Sequence, residues 1–166
     1  MSADRSVLLV VHHSPTPTLH RLTDAVLAGT RDEAIDGVEV RARAAGEATA
    51  EDVLASAGVL LVTPANFGYM AGMLKDFFDR TFLQIGGGLG DDGSATGGAG
   101  EGRLPYGLAV HGRYDTTGAV RSVQGIVGAL PWRQAAPVLE VVGDLGAAQE
   151  AAAYELGGTL AATLME

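Results

Sequence analysis

Short apolar runs alternate with amphipathic stretches five times along this chain, and that alternation limits the fold more than any other feature. Residues 6–11 and 58–63 are continuous apolar runs, the mark of strands buried on both faces. Residues 106–110 and 138–142 read as two further strands. Residues 38–43 instead alternate, with Val38, Val40 and Ala42 set against Glu39, Arg41 and Arg43, so one face of that strand is wet and it belongs at an edge. Helices are expected over 17–29, 49–55, 70–82, 117–130 and 147–165. Strand followed by helix, repeated in this way, predicts an α/β fold: one doubly wound five-stranded parallel sheet of order 2-1-3-4-5, spanning 1–166 as a single domain.

Local signals sharpen the helix boundaries. Thr16 suits an N-cap, and Pro17 at the first helical position gives up only an amide that has no helical partner. Thr49 and Asp52 are spaced as a capping pair. Met70, Met73, Leu74, Phe77, Phe78 and Phe82 form one stripe, with Lys75–Asp79 and Asp76–Arg80 as spaced ion pairs outside it. In the last helix Gly157-Gly158 is expected to be a weak point. Residues 86–102 are glycine-rich and read as a flexible surface loop. The Gly88, Gly90, Gly93 spacing within it follows a helix rather than a strand and carries Asp91 and Asp92, so it is no dinucleotide fingerprint.

Composition removes several function classes. With no cysteine there is no disulfide, no thiolate nucleophile and no zinc–thiolate site, so redox chemistry would need a bound cofactor. A formal charge of −9 would repel nucleic acid and favour basic protein partners. No apolar run approaches a membrane span and no charged-then-apolar leader is evident, so a soluble cytoplasmic protein is expected.

In a sheet of this order ligands bind beyond the carboxyl ends of strands 1 and 3, where the winding reverses. The loops there are 12–18 and 64–69, with 111–116 beside them. The first carries hydroxyls at a helix N-terminus, suited to a phosphate. The second combines proline, amide, aromatic and glycine, suited to the face or edge of a flat ring. A phosphate loop and a ring loop together suggest a mononucleotide cofactor.

From Thr63 through Pro64, Ala65, Asn66, Phe67, Gly68, Tyr69, Met70, Lys75, Phe77, Asp79 and Arg80 to Thr81, the chain resembles the flavodoxin-like superfamily, in particular its NAD(P)H-dependent FMN and quinone reductase branch. The resemblance implies FMN, with phosphate on the first loop and the flavin between the second and third. Carried onto this sequence, the binding residues are His13, Ser14, Thr16, Thr18 and Leu19; Pro64, Ala65, Asn66, Phe67 and Gly68; and His111, Gly112, Arg113 and Tyr114. The family's phosphate loop is matched at Ser14 and Thr16 but not at Pro17, Thr18 and Leu19, and Pro15 and Pro17 offer no N–H.

The resemblance further implies NAD(P)H as co-substrate and a quinone, another small-molecule electron acceptor or a redox protein as partner. It also implies a homodimer or homotetramer, and no catalytic side chain, because the cofactor carries the chemistry. Two other readings stay open: an electron shuttle without an NAD(P)H site, and a cofactor-less interaction domain.

Structural roles compete with these assignments. Ser14 and Thr16 would serve only the backbone in a plain capped turn, Phe67 could be core, Tyr69 could cover the ring or pack elsewhere, and 111–115 could be an ordinary polar loop. His12 and His13 are adjacent on a strand end and point opposite ways, so they cannot share a metal ion. Trp132 reads as packing and His20 as surface. A phospho-acceptor domain would need acidic residues where strand 1 ends in His12-His13-Ser14, and no G-x-S-x-G elbow follows a strand.

Overall fold

A computed structural model describes residues 5–88, 90–94, 104–130 and 132–165. The elements run β1 (Ser6–His12), α1 (Pro17–Thr30), β2 (Val38–Ala44), α2 (Ala50–Leu54), β3 (Gly58–Asn66), β4 (Tyr69–Met70), α3 (Gly72–Thr81), β5 (Pro105–Gly112), α4 (Thr117–Ala129), β6 (Arg133–Gln134), β7 (Leu139–Val142) and α5 (Ala147–Ala162). The parallel core is ordered β2-β1-β3-β5, and both β6 and β7 pair with β5 beyond it. The expected order therefore holds, with a sheet of seven strands because two short ones were not foreseen. One is β4, which turns back antiparallel on β3. The other is β6, which shares the far edge of β5 with β7. Between them lies Pro137, which has no N–H to give a ladder.

The central strands bury alternate residues on opposite faces, as a pleat requires. Leu8, Val10, Leu60 and Val62 meet Leu19, Leu22 and Val26 of α1 and Leu156 and Leu160 of α5. Leu9, Val11, Val59 and Leu61 meet Leu74, Phe77 and Phe78 of α3 and Val123 and Val127 of α4. Two apolar layers thus enclose the sheet. Phe77 and Phe78 are fully buried in one of them, where truncation to alanine costs about 3–5 kcal/mol. Trp132 packs in the same layer against Phe78 and Tyr106, with ring centroids 6.3 Å and 6.4 Å away.

The caps form where the residues predict. The Thr16 hydroxyl accepts from Leu19 N at 3.2 Å. Thr49 and Asp52 complete both bonds of a capping box, so the shorter aspartate serves there as glutamate would. Lys75–Asp79 and Arg80–Asp76 each close at 2.7 Å.

Two expectations need correction. The stripe 70–82 is not helical at its start, because Met70 belongs to β4 and α3 begins at Gly72. The last helix is unbroken through Gly157-Gly158. A Cβ on Gly157 would overlap the Val26 carbonyl, and one on Gly29 the Tyr154 carbonyl, so these glycines let α1 and α5 cross in backbone contact. Within the glycine-rich segment Gly90–Ser94 closes a tight turn, with Gly93 N donating to Gly90 O at 2.9 Å and Gly90 N to Ser94 O at 2.7 Å. The remainder of the glycine-rich segment, 95–102, lies outside the described residues, as does Leu89. Among the described residues, no helix is long and apolar enough to cross a membrane.

Candidate functional site

The winding reverses at β1, which has β2 on one side and β3 on the other. Beyond the carboxyl ends of β1, β3 and β5, three segments reach the same rim.

The second segment is a hairpin rather than an open loop. β3 runs on past the sheet until Ala65 and Asn66 pair with Met70 and Tyr69. The connection is Phe67-Gly68, with φ of 50° and 73°. Left-handed backbone at both positions is what a two-residue hairpin needs to match strand twist. Glycine adopts it freely, whereas a bulky residue there costs about 1–2 kcal/mol. Phe67 is also fully exposed, at 106%, so the core alternative does not apply.

The base of the hairpin is held firmly. Buried Thr63 accepts from Ala71 N at 3.0 Å and donates to the Pro64 carbonyl at 2.9 Å. Met70 N donates to Ser122 Oγ at 3.3 Å, and Pro64 and Met70 are buried. Tyr69 is partly exposed beside the tip. A rigid base therefore carries a strained, bare aromatic tip.

The third segment starts inside β5, since His111 and Gly112 belong to the strand. His111 Nε2 lies 2.7 Å from the Gly143 carbonyl, tying the ring toward the end of β7. Arg113 pairs with Asp144 at 2.7 Å, and Thr116 donates to Glu140 at 2.7 Å. A Cβ on Gly112 would sit 3.2 Å from Ala65 Cβ and 3.0 Å from the Asp115 carbonyl, so this segment lies close to the hairpin. Tyr114, 90% exposed, is its free member.

The first segment turns its polar groups inward. Ser14 Oγ lies 2.9 Å from His12 Nδ1 and 2.8 Å from Thr23 Oγ1. The Leu19 amide is spent on the Thr16 hydroxyl. Among the described residues, the amides of Thr16 and Thr18 have no protein acceptor, and they stand at the start of α1. His13 is half-buried and its N–H bonds Val62 O at 3.0 Å. Half-burial holds the His12 pKa below the usual histidine value, reinforced by His20 and His13 and opposed by Asp24 and Glu47. His20 is exposed.

The residues named from the sequence thus reach one rim, in different conditions. Phe67, Gly68 and Tyr114 are exposed; Pro64, Leu19 and Gly112 are buried; His111 and Arg113 have partners away from the hairpin. Sequence reasoning missed Ser122 and Gly118 on α4, which touch the hairpin. Gly118 inside a helix was the one signal available. Two cavities lie away from this rim among the described residues: one of about 330 Å³ between α3 and α4, and one of about 370 Å³ between the end of α1 and α5.

No protein-family model matches the chain. Over 72 residues it is 35% identical to the flavodoxin of Aquifex aeolicus, covering 43% of this chain and 38% of that protein, so it spans well under half of the curated relative it matches. A flavodoxin from the domain Archaea superposes with a TM-score of 0.75 at 11% identity, covering 95% of this chain and 98% of the other. A flavodoxin, WrbA-like protein from Agrobacterium tumefaciens gives a TM-score of 0.68 at 15% identity, covering 96% and 97%. With the sheet order and the two enclosing layers, these superpositions establish that the chain has the flavodoxin-like fold.

Proposed function

We propose that the protein binds FMN at the carboxyl rim of β1, β3 and β5 and transfers electrons through it. The observation that carries this reading is the pair of bare aromatic tips, Phe67 and Tyr114, on neighbouring segments with tightly held bases. An exposed ring on strained backbone loses stability, and such strain collects where a ligand is gripped. The ring end therefore fits a flavin. Phe67 and Tyr114 would cover its faces, and the backbone of residues 65–68 would reach its polar edge.

The phosphate end fits with fewer donors. The hydroxyls of Ser14, Thr16 and Thr18 and the free amides of Thr16 and Thr18 would hold the dianion at the α1 N-terminus. Bound FMN supplies the capacity to take up and release electrons. The chain's own residues bind it, orient it and exclude water, and no side chain is needed as acid or base.

In its finer form the reading is a reductase that passes electrons from NAD(P)H to a quinone or similar acceptor, supported by the 63–81 string. The second reading is an electron shuttle that docks on redox proteins, favoured by the net charge of −9 and the similarity to the Aquifex flavodoxin. Titrating the purified protein with FMN is expected to quench the free flavin's fluorescence and perturb its absorption band. Anaerobic NADPH, then NADH, separates the two readings: prompt bleaching supports the reductase, and a flavin that stays yellow supports the shuttle. A colourless protein that leaves FMN fluorescence untouched overturns both.

A further inference from the structure

We propose that Gly118 and Ser122 are positioning residues that fix the Phe67-Gly68 tip relative to the Tyr114 segment, and so set the width of the slot for a planar fused ring. This rests on the FMN reading above.

Gly118 and Ser122 lie four residues apart on α4, and therefore on one helix face. A Cβ on Gly118 would overlap the Gly68 carbonyl oxygen, so any side chain there must push the tip away. Ser122 accepts from Met70 N at 3.3 Å while donating to Ala119 O at 2.8 Å, which points its lone pair at the hairpin. One contact grips the tip and the other grips the returning strand.

The same helix follows directly on the Tyr114 segment. α4 begins at Thr117, three residues after Tyr114. Thr117 N donates to the Asp115 carboxylate at 3.0 Å, and neighbouring Thr116 is buried and bonded to Glu140. Both aromatic tips are thus referenced to the start of one rigid element. Gly112 repeats the device below them, where its bare Cα lets the third segment pass Ala65. Backbone contacts yield less than long side chains, which suits a slot that must match a ring's thickness. The left-handed Phe67 makes the clamp necessary, since a free tip would relax toward ordinary backbone and carry the ring away.

The test compares Gly118→Ala with Gly125→Ala, a site on the same helix where a Cβ meets nothing within 4 Å. Amide exchange and the Phe67 HN–Hα coupling are measured on 15N-labelled protein without FMN. FMN affinity and the bound flavin's absorption band shape follow. Gly118→Ala is expected to speed exchange over 67–70 about tenfold, change the Phe67 coupling, weaken FMN at least about tenfold and alter the band. Gly125→Ala should leave all four as in wild type.

Unchanged exchange and affinity in Gly118→Ala overturn the proposal. So does a lower melting temperature with the band and affinity intact, which marks a purely structural glycine. If wild type binds no FMN, the functional reading falls, and the slot with it, while exchange over 67–70 still decides whether α4 holds the tip. If Gly118→Ala does not fold, Ser122→Ala replaces it. That variant should selectively speed exchange at Met70 and weaken FMN about threefold; no change in either overturns the clamp.

Discussion

The two ends of the candidate site are built on opposite plans. At the ring end the backbone itself is gripped: the Thr63 hydroxyl holds the Ala71 amide, Gly118 admits the Gly68 carbonyl, and Gly112 passes Ala65. The aromatic side chains there are left free. At the phosphate end the side chains are engaged, Ser14 with His12 and Thr23, and Thr16 with the Leu19 amide. Two prolines subtract donors from the same turn. Under the proposed FMN reading, this contrast weights recognition toward the ring. A stacked ring needs only a slot of the right width, whereas a dianion needs converging donors, and this loop has few to spare.

The largest expected effect follows from that weighting. Phe67→Ala and Tyr114→Ala should each weaken FMN about tenfold, and the double variant about a hundredfold, at roughly 1–3 kcal/mol per stacked face. Isothermal titration with FMN and with riboflavin measures both, and the losses should be equal for the two ligands because they arise at the ring. Phe67→Gly separates strain from stacking. It should raise apoprotein stability by about 1 kcal/mol in urea melts while losing the same affinity as Phe67→Ala. If neither tip matters to riboflavin, the ring end has been misplaced.

Most of the scaffold was legible because burial and periodicity act together. The runs at 6–11 and 58–63 are apolar on both pleat faces because helices cover both, and β2 alternates because it is an edge strand. The capping residues were legible for an equally local reason, each needing only an amide three positions on.

What was missed is tertiary. Met70 sits in register with a helical stripe, yet Ser122 and Ala65, distant in sequence or across a turn, recruit it into a strand. Phe67 carries no turn signal, since a phenylalanine with positive φ is held by contacts rather than by preference. Gly157 reads as a weak point from helix propensity alone, because its partner, the Val26 carbonyl, belongs to a helix more than a hundred residues earlier. His111 was placed by its loop and turned out to be placed by Gly143.

The next effect tests the phosphate end from the other direction. Pro17→Gly restores an N–H at the first position of α1, where it points out of the helix toward the site. One further hydrogen bond to a charged oxygen is worth about 1.5–3 kcal/mol before the flexibility of glycine is subtracted. The net expectation is about tenfold tighter FMN with riboflavin unchanged, read as the ratio of the two dissociation constants. A ratio that does not move would mean the phosphate lies away from this turn.

The smallest effect is a pH dependence that joins the two ends. Half-burial first, then the neighbouring His20 and His13, lower the His12 pKa in the folded chain, with Asp24 and Glu47 opposing. In the unfolded chain it takes a proton near the ordinary histidine value of about 6.5. As pH falls through about 6.5 the unfolded state therefore holds more protons, and stability declines until the folded pKa is passed, below which this contribution is constant. His12→Gln should flatten that slope in melts taken from about pH 8 down through and below about pH 6.5.

A phosphate seated on Ser14 would lie one hydrogen bond from His12 Nδ1 and raise the folded pKa toward the unfolded one. FMN should then flatten the slope of the parent protein as well, while riboflavin, which lacks the phosphate, leaves it steep. Equal slopes with the two ligands would place the phosphate away from Ser14, and would leave the inward-turned hydroxyls of the first segment as structure rather than site.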